Sequence, residues 1–306
     1  MGQGHGFGKV ILFNEHFVVY GVPAIVSAIG DRTVAKVTRI DSGFELVDDR
    51  PATPGYKEDK AQHQADSFKY MFEAMGLDME GIRLELGGNL YAASGVGASA
   101  ASCAAIARAL SNEFNLNLSD EDINKVAWEG ERGYHGNPSG IDNTAATYGG
   151  LLLFKRGDEN IIDRMNLPQP VRIVMGNTGV VANTKAAVAG VKERKEQDPG
   201  KYEELFKQAG ELAVRAKEAL EKGDWPKVGE LMVENHALLQ EIQVSNDDLD
   251  MLVETARKEG AIGAKMTGGG LGGYMVALTP DEAVQKRVAD AIEAKGFSVL
   301  RTTIGI

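Results

Sequence analysis

Residues 82–114, IRLELGGNLYAASGVGASAASCAAIARALSNEF, carry the reading of the fold. IRLELGGNL (82–90) alternates apolar and polar residues, the period of a half-buried strand. Residues 98–114, ASAASCAAIARALSNEF, form an Ala-rich pattern that predicts a helix. Between them lies Gly95-Val96-Gly97-Ala98-Ser99. A glycine loop feeding a helix N-terminus presents free N–H groups and the positive end of the helix dipole, which suits a phosphate. A Walker A loop would need Lys and then Ser or Thr after the last glycine, and neither is there. Gly8-Lys9 lacks the earlier glycine and is followed by Val10. A dinucleotide fingerprint through Gly95, Gly97 and Ala100 would want an acid about 20 residues on at a strand end. The acids of 113–122 stand in helix and loop context instead. The loop by itself leaves two readings open: a different phosphate loop with Ser99 at the helix start, or a tight turn.

Outward from this segment, 8–13, 33–40, 149–154, 171–176, 274–278 and 297–304 predict strands. Residues 48–66, polar and holding Pro51, Pro54 and Gly55, read as a long surface loop, followed by a helix to about 75. Ser119 and Asp122 predict a capping box before a helix over 120–133. Residues 184–196, 201–222, 225–242, 246–259 and 280–295 are charged, amphipathic helix patterns. The mixture is α+β without regular βαβ alternation. The change of texture near 180 suggests two domains, 1–178 and 179–306.

The composition narrows the function classes. A net charge of −11 excludes a nucleic-acid surface but not a small anionic substrate. The single cysteine, Cys103, excludes an intramolecular disulfide and a multi-cysteine zinc site, and its place in the Ala-rich helix predicts a buried core residue. No apolar leader or membrane-length stretch occurs, so a cytoplasmic protein away from membranes is expected. Glycine is the unusual number: 37 of 306 residues, about 12% against a usual ~7%. Such an excess without proline predicts backbone that bends tightly or approaches a ligand closely.

Three further segments can carry chemistry. Lys265-Met266-Thr267-Gly268-Gly269-Gly270-Leu271-Gly272-Gly273 runs directly into a strand, which favours a ligand-lining loop over a flexible linker. Residues 130–143, GERGYHGNPSGIDN, bring Glu131, His135, Ser139 and Asp142 within a short span; alone, this is equally a helix end with a capped turn. Lys9, with Asn14, Glu15 and His16 beyond the first strand, reads alone as a snorkelling lysine and a turn.

Taken together and in this order, the four segments resemble the GHMP kinases. Residues 8–21, GKVILFNEHFVVYG, are similar to the family's first motif, Gly95 to Ala101 to its phosphate loop, and Lys265 to Gly273 to its C-terminal glycine motif. Residues 130–143, with Asn177-Thr178-Gly179, Asn183-Thr184-Lys185 and 186–196, are most similar to the mevalonate kinase branch. The sequence departs from the family pattern at Phe7, where proline is usual, at Asn14, where glycine is usual, and at Ala98, where a second serine is usual.

The resemblance implies a two-domain fold, an N-terminal part like ribosomal protein S5 domain 2 and a ferredoxin-like C-terminal part with added helices. It implies transfer of a phosphoryl group from ATP, with Mg²⁺, to the C5 hydroxyl of mevalonate, in a homodimer. Asp142 would take or orient the hydroxyl proton beside Lys9. Gly95, Val96, Gly97, Ala98, Ser99 and Ala100 would bind the triphosphate, and Ser99 and Glu131 would hold the metal. Glu15, His16, Ser139, Thr184, Thr267, Gly268 and Gly269 would contact the substrate, with Lys155 or Arg156 as candidate partners of its carboxylate. Asn89 and the 48–66 loop are candidates for adenine. The alternatives are another small-molecule kinase of the family, acting on phosphomevalonate, a sugar or homoserine, or a non-catalytic nucleotide-binding regulator on the same fold.

Overall fold

The computed structural model describes residues 1–305 except Thr53, Pro54, Ala93, Ser94, Val181 and Asn183. Pro54 of the predicted loop and Asn183 of the motif at 183–185 therefore lie outside the described residues, as does Ile306. The chain separates into two compact units. The first is Met1–Lys9 with Ala28–Gly149; the second is Val10–Ser27 with Gly150–Ile306. The units thus differ from the sequential blocks 1–178 and 179–306. Val10–Ser27 and the strands after Gly150 hydrogen-bond among themselves and with the C-terminal strands, whatever their place in the sequence.

In the first unit β4 (Ile82–Gly88) lies between β2 (Ala24–Arg39) and the short parallel strand β3 (Phe44–Asp48). Its alternation does what the sequence predicts: Ile82, Leu84 and Leu86 are buried while Arg83 and Glu85 face outward. Val37 pairs with Leu84 and Ala35 with Leu86, so the apolar faces of both strands coincide. On that face sit Phe68, Met71 and Phe72 of α1 (Tyr56–Met75), Ile106 and Leu110 of α2 (Ala98–Phe114), and Ile123 and Ala127 of α3 (Asp120–His135). The predicted capping box opens α3: Ser119 Oγ accepts from Asp122 N at 3.2 Å, and the Asp122 carboxylate accepts from Ser119 N at 3.3 Å.

Two expectations change here. The 48–66 stretch is not all loop, because α1 begins at Tyr56. Its first turns are polar, with Glu58 and Asp59 where the helix dipole favours acids. The strand at 8–13 in fact spans Gly2–Phe13, here β1. A Cβ on Gly2, Gly4 or Gly6 would overlap the backbone carbonyls of Ala109, Ala105 and Ala101, so alternate glycines of β1 lie flat on an alanine face of α2. Part of the glycine excess therefore serves strand-to-helix packing and no ligand. Phe7, in the family's proline position, packs on Gly149 and under the Arg32 guanidinium, 4.5 Å from the ring centre.

In the second unit β10 (Ser298–Ile304), β7 (Val171–Asn177), β9 (Tyr274–Leu278) and β8 (Gly263–Thr267) form a continuous antiparallel sheet. β5 (Leu151–Lys155) pairs with Ala24–Ser27 of β2 and with β6 (Ile161–Met165). The helices α5 (Thr184–Gln197), α6 (Pro199–Lys222), α7 (Trp225–Glu241), α8 (Asp247–Lys258) and α9 (Glu282–Glu293) follow the predicted pattern closely. Asp198, Asp224, Asn246 and Asp281 cap four of them, each side chain accepting from an N–H three residues on. The fold class is α+β, as expected.

Candidate active site

The first unit brings Lys9, Ser99, Glu131 and Asp142 together around the start of α2. Gly97 caps that helix with φ +70°, and Ala98, Ser99 and Ala100 form its first turn, whose N–H groups have no acceptor within the helix. β1 holds the loop in place, since Lys9 N donates to the Val96 carbonyl at 2.9 Å. A Cβ on Gly97 would stand 2.7 Å from Cγ of Lys9, so the lysine stem lies directly against the loop. Lys9 is 4% exposed, and its Nζ reaches Oδ1 of Asp142, 32% exposed, at 3.1 Å. Asp142 lies in the first turn of a short helix unseen in the sequence, α4 (Ile141–Tyr148), which starts from Gly140 in a left-handed conformation.

Glu131 is buried on α3, and the Ser99 hydroxyl hydrogen-bonds its carboxylate. Burial, and then the negative charge of Asp142, push the Glu131 carboxyl up to about 8. Its Oε1 is buried with no hydrogen-bond partner among the described residues. A buried carboxylate oxygen short of a partner, with a hydroxyl alongside, is a hard-oxygen donor pair of the kind Mg²⁺ uses when phosphate oxygens and water complete its shell. Ser139 also lies here; its hydroxyl accepts from Ile141 N at 3.4 Å and shapes the start of α4. The Asn89 side chain is engaged by Arg32 N and Asp31, both at 2.9 Å.

The second unit assembles the remaining predicted residues. Glu15 and His16 follow the end of β1 and are buried, as is Thr267 at the end of β8. The Thr267 hydroxyl donates to the Ile11 carbonyl at 2.8 Å, tying the two motifs together. His16 Nε2 lies 3.0 Å from the carbonyl of Gly269. A carbonyl only accepts, so Nε2 carries the proton and Nδ1 of the neutral ring is left as an acceptor. Burial lowers His16 to about 4, against the opposing effect of that hydrogen bond, so the ring is uncharged at neutral pH. It can take a hydrogen bond from a hydroxyl but cannot supply a cation to a carboxylate. A Cβ on Gly269 would overlap Oγ1 of Thr184, so this glycine lets the loop close on the first residue of α5. Gly268 lies beside it with φ +82°. Lys155 is exposed at the end of β5, with Arg156 half-buried after it.

Two residues escaped the sequence reading. Lys265 opens the C-terminal glycine motif, yet its role depends on Glu15, 250 positions away. The two form an ion pair with side-chain exposures of 0% and 1%. Burial drives the lysine down, and the Glu15 carboxylate opposes it. Arg50 has no sequence signal. It is buried, pairs with Asp48 at 2.9 Å, and donates to the Ser102 hydroxyl, which in turn donates to the Ala98 carbonyl at 2.8 Å in the first turn of α2.

The family models for the GHMP kinases N terminal domain and the GHMP kinases C terminal match residues 63–150 and 216–298. Over 318 positions the chain is 38% identical to the mevalonate kinase of Pyrococcus abyssi (strain GE5 / Orsay), covering 97% of this chain and 93% of that one. The chain belongs to the GHMP kinases. The mevalonate kinase of Pyrococcus horikoshii is 39% identical over 310 positions, covering 94% and 91% of the two chains. The crystal structure of L. major mevalonate kinase in complex with R-mevalonate matches this GHMP kinase with a TM-score of 0.95 at 39% identity, covering 99% of this chain and 96% of that one. The first model covers Gly95–Ala101 and residues 130–143 and the second covers Lys265–Gly273; residues 8–21 and 177–196 lie outside both.

Proposed function

We propose that this GHMP kinase transfers the γ-phosphoryl group of ATP to the C5 hydroxyl of mevalonate. The observation that carries the chemistry is Lys9, whose stem lies on Gly97 of the phosphate loop and whose ammonium lies 3.1 Å from Asp142. One residue thereby connects the phosphate cradle to the base. The choice of acceptor is supported by the kinship with named mevalonate kinases and by the mevalonate-bound relative.

Phosphoryl transfer is chiefly positioning and charge neutralisation. The N–H groups at the start of α2 donate to the triphosphate. The hydroxyl oxygen forms its bond to the γ-phosphorus as the bond from that phosphorus to the β–γ bridging oxygen breaks. The hydroxyl proton passes to Asp142 and then to solvent, and the electron pair of the broken bond stays on ADP. Lys9 holds Asp142 in place and stabilises charge on the attacking oxygen and the moving phosphoryl group. Ser99 and Glu131 would hold Mg²⁺, which supplies Lewis-acid neutralisation of phosphate charge when bound. Glu15, His16, Thr184, Thr267, Gly268 and Gly269 would hold the acceptor, with Ser139 shaping the approach to Asp142.

The homodimer and the cytoplasmic location belong to the same proposal. Among the described residues no helix is long and apolar enough to cross a membrane. Sedimentation equilibrium tests the dimer, and a monomer at micromolar concentration contradicts it. The activity is tested by ADP release with mevalonate, phosphomevalonate, galactose and homoserine in parallel. Mevalonate is expected to lead in kcat/KM by roughly 100-fold or more, the scale that a site built around specific hydroxyl contacts provides. A higher value with another acceptor overturns the assignment.

A further inference from the structure

α7 places two consecutive polar residues in the interior of the second unit: Asn235 is 0% and His236 is 7% exposed. An amide and an imidazole are costly to bury unless their polar atoms find partners. These two find them on two different motifs. Asn235 Oδ1 accepts from Asn14 N at 3.1 Å, and Asn235 Nδ2 donates to Asn14 Oδ1 at 3.0 Å. Asn14 stands at φ +69°, where the family usually has glycine. Its own Nδ2 donates to the carbonyls of Pro23 and Ala209, at 2.8 Å each, so the side chain pins a turn that glycine would leave to its backbone alone.

His236 Nδ1 accepts from Met266 N at 3.3 Å. Its Nε2 is therefore the protonated nitrogen, and it lies 3.1 Å from Oδ1 of Asp250. Asp250 is fixed in turn by the Ser245 hydroxyl at 2.5 Å and the Gln240 amide at 2.8 Å. One helix thus grips the chain one residue before Glu15 and one residue after Lys265, the two partners of the buried ion pair. Lys265 Nζ also donates to the Met266 carbonyl at 2.6 Å, so His236 holds the N–H of the same residue whose carbonyl anchors the lysine.

We propose that Asn235 and His236 are positioning residues for the acceptor. They lock the Asn14 turn and the β8 strand in register, so that the sealed Glu15–Lys265 pair keeps one geometry and holds the adjoining His16 and Thr267 in place for a small hydroxylated carboxylate. This rests on the reading of Glu15 and His16 as acceptor-binding residues. Neither α7 residue touches substrate; both act through the motifs they hold.

The test uses steady-state kinetics on the full chain, with the acceptor and ATP varied separately and melting temperature recorded. In His236→Asn the side-chain carbonyl stands where Nδ1 stood and still accepts from Met266 N. In His236→Gln the longer side chain reaches Asp250 but withdraws that acceptor. His236→Gln is expected to raise the acceptor KM about 10-fold, the scale of one lost buried hydrogen bond. His236→Asn is expected to stay within about 3-fold and the ATP KM within about 2-fold in both, because the retained contact is the one that matters. Asn235→Ala is expected to raise the acceptor KM, with a smaller further effect when placed on Asn14→Gly than on the wild type. Equal kinetics for the Asn and Gln variants, or acceptor and ATP KM rising in step with a falling folded fraction, overturns the proposal. Every variant is compared on whichever of the four acceptors the wild type phosphorylates. A wrong acceptor therefore defeats the proposed function and leaves this test intact.

Discussion

Among the described residues two buried lysines, Lys9 and Lys265, each pair with a carboxylate, and the two pairs differ in how far that carboxylate is exposed. Lys9 and Asp142 in the first unit meet with the carboxylate 32% exposed; Lys265 and Glu15 in the second meet with both side chains sealed, at 0% and 1%. A carboxylate that reaches solvent can receive a proton and release it, as a base must. A sealed pair has no such route, and its desolvation is tolerable only while both charges remain. On the proposed function, a lysine paired with a carboxylate serves reaction in the first unit and geometry in the second, and burial separates the two.

The largest expected effect falls on the open pair. Asp142→Asn keeps the shape and removes the base, and kcat is expected to fall by about 10³-fold with ATP affinity unchanged. Turnover within about 3-fold of wild type would remove Asp142 from the chemistry. The sealed pair should respond in stability. Lys265→Met removes the ammonium that neutralises the buried Glu15 carboxylate, a loss of about 3–5 kcal/mol, which lowers the melting temperature by roughly 10 °C. Glu15→Gln combined with Lys265→Met should recover much of that loss, because no lone charge remains. A double variant less stable than Lys265→Met would deny the pair its structural role.

Glu131→Gln sharpens the comparison from the metal side. It is expected to raise the Mg²⁺ concentration for half-maximal activity about 10-fold; an unchanged titration contradicts the assignment. The smallest effect is on pH. Burial holds His16 and His236 at about 4, below the ordinary 6.5. Lys265 adds to the depression at both, with Arg194 at His16 and Arg257 at His236, and Asp250 opposes it at His236. The unfolded chain takes up protons on these residues near pH 6.5, and the folded chain does so only near pH 4. The stability they contribute is therefore complete above pH 6.5 and is lost as the pH falls toward 4. From pH 7 to 5.5 the two histidines should lower the melting temperature by roughly 5 °C, an effect the raised Glu131 carboxyl opposes, so the expected outcome is a more favourable change on acidification in His16→Gln than in wild type. An equal slope in that variant would remove His16 from the effect.

The sequence made legible what is local. The strand–loop–helix at 82–114, the capping box at Ser119 and the long C-terminal helices follow from period and capping, and they stand as expected. β1 was half hidden because Gly2, Gly4 and Gly6 have no strand preference of their own; only the alanine face of α2 explains them. α4 is one short helix behind a glycine turn, too short for a period to show. Edge strand β6, with Ile161 and Ile162 exposed, lacks the alternation that marks a buried face. At the site, Lys9, Ser99, Glu131 and Asp142 could be named because each lies in a motif, and the structure brings all four into the first unit. Lys265, Asn235 and His236 act across long sequence separations on partners that no local pattern reveals. Asn14 was visible as a departure from the family's glycine, but its reason, a reciprocal bond to Asn235, was not.

The most direct test of this division is the turnover number of Lys9→Met, measured beside Lys265→Met on protein whose melting temperature is recorded. Lys9→Met is expected to lose about 100-fold or more in kcat while melting within a few degrees of wild type, because Asp142 can be solvated once its partner is gone. Lys265→Met is expected to lose its stability first and, where folded, to keep most of its kcat. If Lys9→Met turns over normally, or if the two variants lose activity and stability in the same proportion, the two pairs do not divide chemistry from geometry and the account fails.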